Sequence, residues 1–168
     1  QAYEYPRRLA KEGLAGRVYL LKGGSAKSAK RIRKTEPDNT GRKSRNSGAR
    51  GDVPLYLLDT DALKDTVATM IDRENPGAGY LHTPDWMPLW WFEELTYEVR
   101  DPTTGKWSKP GSKPNEAFDL FVYNLVVFIL LKGEKIDWKA PPTWADHWDA
   151  NLLVFMPESE DDDPPQQT

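Results

Sequence analysis

The sequence predicts one layered α/β domain, a mixed sheet flanked by helices. Three observations lead there: apolar runs of strand length alternate with stretches of helical period, no repeat divides the chain, and 168 residues suffice for one core with tails.

The elements follow in order. Residues 2–12 read as the end of a helix, punctuated by Gly13 and Gly16, and 17–22 (Arg-Val-Tyr-Leu-Leu-Lys) as a short strand closed by Gly23 and Gly24. Residues 53–58 form a second apolar run of strand length. A helix over 62–73 is predicted because Leu63, Val67, Met70 and Ile71 share one face, with Thr60 or Asp61 available to cap it. Asn75-Pro-Gly77 ends that helix, 80–82 suits another short strand, and 84–95 a helix carrying Trp86, Trp90 and Trp91. Residues 96–100 and 106–108 pair as a hairpin around Asp101-Pro-Thr-Thr-Gly105. Pro114 then opens a helix over 115–131, apolar nearly all round and therefore expected to be buried.

Composition narrows the chemistry. With no cysteine, disulfides, thiolate zinc sites and cysteine nucleophiles are excluded together, so any metal must sit on oxygen or histidine. The apolar run 125–131 is far shorter than the roughly 20 residues that cross a bilayer. Residues from Gln1 onward show no leader pattern, which gives the expectation of a soluble, cytoplasmic protein without a membrane partner. The net charge of -3 conceals two blocks of opposite sign. Residues 24–52, rich in Gly, Ser and Asn, carry Lys27, Lys30, Arg31, Arg33, Lys34, Arg42, Lys43, Arg45 and Arg50, and read as a flexible basic loop. Such a loop attracts phosphates through counterion release without reading bases, although a plain soluble insertion has the same composition. Residues 156–168, with Glu-Ser-Glu-Asp-Asp-Asp at 158–163, read as a disordered acidic tail, leaving 1–155 as the domain.

Two segments set carboxylates where burial would make them costly. Asp119 falls early in the apolar helix, and a buried carboxylate there needs a partner, such as Lys64 or an arginine, or a cation. Asp59 and Asp61 stand at the end of a strand expected to be central, where α/β sheets place their sites; Asp61 alone serves equally as a helix cap. Together they suit a hard cation such as Mg2+, which takes one or two carboxylates and keeps waters and phosphate oxygens. Two such ions can activate water and stabilise a leaving oxygen at a phosphodiester.

An ordered series of segments resembles the C-terminal nuclease domain of lambda-type phage terminase large subunits. They are Arg17-Val-Tyr-Leu-Leu-Lys-Gly23, Asp61-Ala-Leu-Lys-Asp65, Gly77-Ala-Gly-Tyr-Leu-His-Thr-Pro84, Glu94-Leu-Thr-Tyr-Glu98, Lys106-Trp107 and above all Asn115-Glu-Ala-Phe-Asp119 before an apolar helix. The resemblance implies an RNase H-like fold and a two-metal endonuclease, using Mg2+ or Mn2+, that cuts concatemeric double-stranded DNA during packaging. It implies Asp119 and Asp61 as catalytic metal ligands, Asp59 as an alternative ligand, and the terminase small subunit and portal protein as partners. It further implies an opening strand bearing a first metal-binding aspartate before the segment at Gln1, and this chain begins after it. No Gly-rich phosphate loop ending in Lys-Ser or Lys-Thr occurs.

Other residues carry two readings. His82 approaches DNA or serves as a structural histidine; Glu98 joins the acidic cluster or stays outside it; Lys64 and Lys113 contact phosphate or are ordinary exposed lysines. Trp86, Trp90 and Trp91 fill core or form a docking face, and His147 reads as packing. The functional alternative to an endonuclease is a catalytically inactive module that binds DNA or docks within the packaging motor.

Overall fold

In the computed structural model, which describes residues 2–24, 30–38, 48–147 and 151, helix α1 (Glu4–Lys11) precedes strands β1 (Leu20–Gly24), β2 (Ile32–Thr35) and β3 (Leu55–Asp59). Helices α2 (Thr60–Ile71) and α3 (Leu89–Leu95), the short strands β4 (Val99–Arg100) and β5 (Trp107–Ser108), and helix α4 (Glu116–Leu130) follow. Residues 1–130 form one unit and 131–168 another. The described part of the second unit holds two 3-10 turns, Gly133–Lys135 and Thr143–Ala145. Among the described residues no helix is long and apolar enough to cross a membrane.

Strand β3 is the middle of a three-stranded mixed sheet, ordered β1-β3-β2. It runs parallel to β1, with Leu20 opposite Leu55 and Gly24 opposite Asp59, and antiparallel to β2, with Ile32 opposite Leu58. The α/β expectation holds, with a correction at β2, which lies inside the stretch read as one basic loop. Ile32 packs against the core while Arg33 and Lys34 are exposed. A four-residue strand with charged centre and β-branched ends has little apolar periodicity to reveal it. Lys27, Arg42, Lys43, Arg45 and the acidic tail at 156–168 lie outside the described residues.

One face of the sheet meets the helices. Leu58, with Leu21 and Ile32 beside it, packs on Leu63 and Val67 of α2 and on Ala117, Phe118, Val122, Leu125 and Val126 of α4. Phe118, Leu63, Val67, Val122 and Val126 are the largest fully buried side chains among the described residues. Helix α4 departs from the expectation of burial all round: Leu120 is 60% exposed and Tyr123 41%. A helix packed on only one side buries one stripe whatever its composition. The tryptophans divide likewise, with Trp91 against the core and Trp86 and Trp90 exposed at 74% and 58%. Residues 80–82, expected as a strand, are irregular, and the helix expected over 84–95 begins only at Leu89, after Pro88 in extended conformation.

Caps and polar ties fix the elements. Asp59, not Thr60 or Asp61, caps α2, its Oδ1 accepting the Ala62 N–H at 3.2 Å. The start of α4 is capped from a neighbouring helix, Glu94 Oε2 accepting the Ala117 N–H at 3.1 Å. The β4–β5 hairpin is fastened to α2 through Asp65, which accepts from Arg100 Nε at 2.6 Å and from the Trp107 indole at 2.8 Å. Partial burial pushes the Asp65 carboxyl up, but these donors outweigh it and hold its pKa below the ordinary value. A carboxyl lowered by folding binds its proton more tightly in the unfolded chain. Its stabilisation is therefore complete above the unfolded value, near pH 4, and is lost as the pH falls through the lower folded value. Asp65→Asn is expected to flatten the fall in urea midpoint below about pH 4; an unchanged acid limb in urea titrations at several pH values would count against this tie.

Candidate functional site

The candidate site is built where the sheet ends and α2 begins. Gly23 and Gly24 close β1 beside Asp59, and a Cβ at Gly23 would come within 3.0 Å of Thr60 Oγ1. Glycine there lets the strand end approach the helix start and leaves bare backbone on the wall of a cleft. That cleft, about 320 Å³, is lined by Gly23, Gly24, Thr60, Asp61, Lys64, Lys106 and Trp107. Asp61 stands in the first turn of α2, where the positive helix end favours a carboxylate. Its Oδ1 accepts the Trp107 backbone N–H at 3.0 Å, which draws β5 to the cleft edge.

One turn along α2, Lys64 is buried at 7% exposure. Its Nζ lies 2.5 Å from Glu98 Oε1 and 3.1 Å from Asp119 Oδ1, and 5.2 Å from the centroid of the Phe118 ring. Asn115 joins the two acids from one turn before Asp119, its Nδ2 donating to Glu98 Oε1 at 2.6 Å and, at 3.5 Å, to Asp119 Oδ2. A buried lysine is costly unless carboxylates surround it, and here two do. The link between Asp61 and Asp119 thus runs through Lys64, which lines the cleft with the first and contacts the second.

Asp61 and Lys64 share the cleft; Asp119 and Glu98 hold the ammonium. Asp119 is not deeply buried as expected, since its side chain is 42% exposed, whereas Glu98 is the buried member of the pair. Early placement on α4, beside the solvent face that carries Leu120, explains the exposure. Lys64 is no surface lysine. Asp59 caps α2. Lys113 is exposed, with its Nζ 5.9 Å from the Tyr97 ring centroid. His82 is exposed and edge-on to Tyr80, and His147 is exposed. Lys30, Arg33 and Lys34 are exposed near the sheet, and the Arg31 carbonyl accepts the Asp59 N–H at 2.9 Å. Lys106, Asn115 and Trp107 were assigned no role from sequence; the four-residue spacing of Asn115 and Asp119 on one helix face was the readable signal for Asn115.

The donor set suits a hard cation in type. Glu98 and Asp119 turn oxygens toward one positive centre, and Asp61 presents a carboxylate to the adjoining cleft, which Lys106 also lines. Among the described residues no three Asp, Glu or His side chains gather into a metal cluster. Removing the ammonium should expose how much the pair depends on it. Lys64→Met is expected to cost roughly 3 kcal/mol, because Glu98 is left buried against a neutral neighbour, and adding Glu98→Gln should return part of that loss. Urea denaturation of the single and double variants checks both signs, and a double variant no more stable than Lys64→Met would refute the account.

No curated protein and no solved structure matches the chain. The family described as terminase large subunit gpA, endonuclease domain, matches residues 1–138, a span that contains the cleft, the Lys64 centre and every element from α1 to α4. With most of its length matched, the chain belongs to the endonuclease-domain family of terminase large subunit gpA.

Proposed function

We propose that this domain is an RNase H-like, metal-dependent endonuclease that cleaves concatemeric double-stranded phage DNA during packaging, with its chemistry at the Asp61 cleft and at the Asp119 carboxylate that Lys64 holds beside it. The observation carrying this reading is that Glu98 and Asp119, distant in sequence from α2, meet on the ammonium of Lys64, which lines the cleft together with Asp61. Family membership supports the nuclease class.

Asp61 and Asp119, with Glu98 behind them, are the residues that would hold Mg2+ or Mn2+ ions. Bound there, a pair of ions would supply an activated water and charge neutralisation at the scissile phosphate. The chain's own residues do the rest. Lys64 holds the Asp119 carboxylate in place and offsets the repulsion between Asp119 and Glu98. Asp61, by taking the Trp107 N–H, keeps Lys106 on the cleft edge, where its ammonium meets a phosphate oxygen. Gly23 and Gly24 present backbone without side chains, so a strand can approach closely. Lys30, Arg31, Arg33 and Lys34, with Lys27, Arg42, Lys43 and Arg45 of the same stretch, attract the duplex by charge and read no bases. The terminase small subunit and portal protein are the partners this reading implies.

A second reading, a docking module without catalysis, draws on the exposed Trp86, Leu89 and Trp90. Plasmid nicking with Mn2+ or Mg2+ separates the two. Asp61→Asn and Asp119→Asn are each expected to lower the rate at least about a hundredfold while the fold is kept, and to weaken Mn2+ binding by calorimetry. Nicking that survives both substitutions would remove the site assignment, and wild-type protein that binds the metal ions yet never nicks would favour the docking module.

A further inference from the structure

A second recess, about 640 Å³, lies between α1 and the start of β3, at the opposite end of that strand from the Asp61 cleft. The five residues of β3, at about 3.3 Å each, separate the two by roughly 15 Å. The recess is therefore not an annex of the proposed catalytic centre. Its volume falls within the range of about 300 to 1,000 Å³ typical of small-ligand sites.

The lining combines charge and rings in a particular way. Two carboxylates border the recess, Glu4 and Asp52, and Arg7 takes both. Its Nη1 donates to Glu4 at 2.7 Å, its Nε and Nη2 donate to the two Asp52 oxygens at 2.7 Å each, and Nη2 also reaches the Gly48 carbonyl at 2.8 Å. Asp52 is held at a pKa of about 2, chiefly by the hydrogen bonds from Arg7. Arg7 is thereby spent on structure, fastening α1 to the segment before β3. Arg8, Lys11 and Arg50 also line the recess, and none of the three forms a salt bridge among the described residues. Beside them Tyr19 and Tyr56 stand edge to face, with centroids 5.7 Å apart, as a half-buried aromatic wall.

Arg50 adds to the field that lowers Asp52 and Arg8 lies 5.3 Å from the centroid of the Tyr5 ring, yet cations without a salt bridge of their own next to a fixed aromatic wall match a ligand that is anionic at one end and a flat ring at the other. A nucleotide has that form, and nucleic-acid strands are held by this pairing of ring stacking and phosphate attraction. A simple anion would leave the rings without a role, and an apolar ligand would leave the cations without one. We propose that the recess between α1 and β3 binds one unpaired nucleotide of a nucleic-acid strand, its base on the Tyr19–Tyr56 wall and its phosphate facing Arg8, Lys11 and Arg50. The proposal does not rest on the nuclease reading, because no residue of the Asp61 cleft takes part.

The test uses the full chain in EDTA, so that nothing is cut, and a fluorescein-labelled single-stranded oligonucleotide read by anisotropy. Arg8→Glu with Lys11→Glu, both on the exposed last turn of α1, should weaken binding at least tenfold and lower the salt slope by roughly 1. Tyr19→Leu, which leaves the charge unchanged, should weaken it several-fold, whereas Leu120→Ala, at an exposed position of α4, should bind like wild type. Competition by dAMP alone would mark the isolated nucleotide as sufficient, and competition only by oligonucleotides would mark the strand as the ligand; either supports the site. Because Tyr19→Leu also touches packing, photo-crosslinking of a bromodeoxyuridine oligonucleotide to wild-type protein provides a check without substitution, with adducts expected on Tyr19 or Tyr56. Adducts confined to other residues overturn the proposal. So does a loss of affinity that appears in Arg33→Glu with Lys34→Glu and not in the α1 and Tyr19 variants.

Discussion

Everything at the centre of this domain is arranged around a buried ammonium. Lys64 leaves α2 inside the protein, and its charge is tolerable there only because Glu98 and Asp119 bring carboxylates to it and Phe118 brings a ring face. Glu98 precedes β4, and Asp119 and Phe118 belong to α4, so one cation draws three separate stretches of chain together. Hydrophobic burial between α2 and α4 supplies most of the stabilisation, but apolar contact alone does not specify how two helices are rotated against each other. A charge that must find two oxygens constrains that rotation much more tightly.

A second set of ties extends this order outward. Asp61 and Asp65 lie four residues apart on α2, and both accept from Trp107, the first from its backbone and the second from its indole. Arg100, across the hairpin, bonds Asp65 and has its pKa raised by that bond first and by the field of Asp61 in smaller part. The hairpin is therefore positioned by the same helix face that forms the cleft. Its lysine, Lys106, reaches the cleft as a consequence of where Asp61 sits.

Much of the scaffold was legible because its signals are local. The periodicity of Leu63, Val67 and Ile71 identified α2, the Asp101 turn identified the hairpin, and Pro114 marked the approach to α4. The turn works as its residues suggest, with Asp101 Oδ1 accepting the N–H groups of Thr103 and Thr104 at 2.7 and 2.9 Å. What escaped depended on tertiary geometry. Strand β2 is held by pairing to β3 rather than by its own pattern. The exposure of Asp119 escaped because composition reports how apolar a helix is and not which side another helix covers, and the burial of Glu98 has no local signal at all. A partner for Asp119 such as Lys64 or an arginine follows from the sequence, on the elementary ground that a carboxylate in apolar surroundings requires a cation; the simultaneous hold of Lys64 on Glu98 has no sequence signature.

Among the described residues the sheet has three strands, with β1 and β2 at its two sides and one row of backbone groups on each turned away from β3. Such rows invite pairing with another chain, and lysine or arginine on an outer strand is a common deterrent because like charges must then be brought together. Arg33 and Lys34 occupy that position on β2, and Lys22 on β1. These basic residues would on this view keep copies of the protein apart. Salt screens that repulsion, so high ionic strength is the condition in which self-association through the sheet is least opposed.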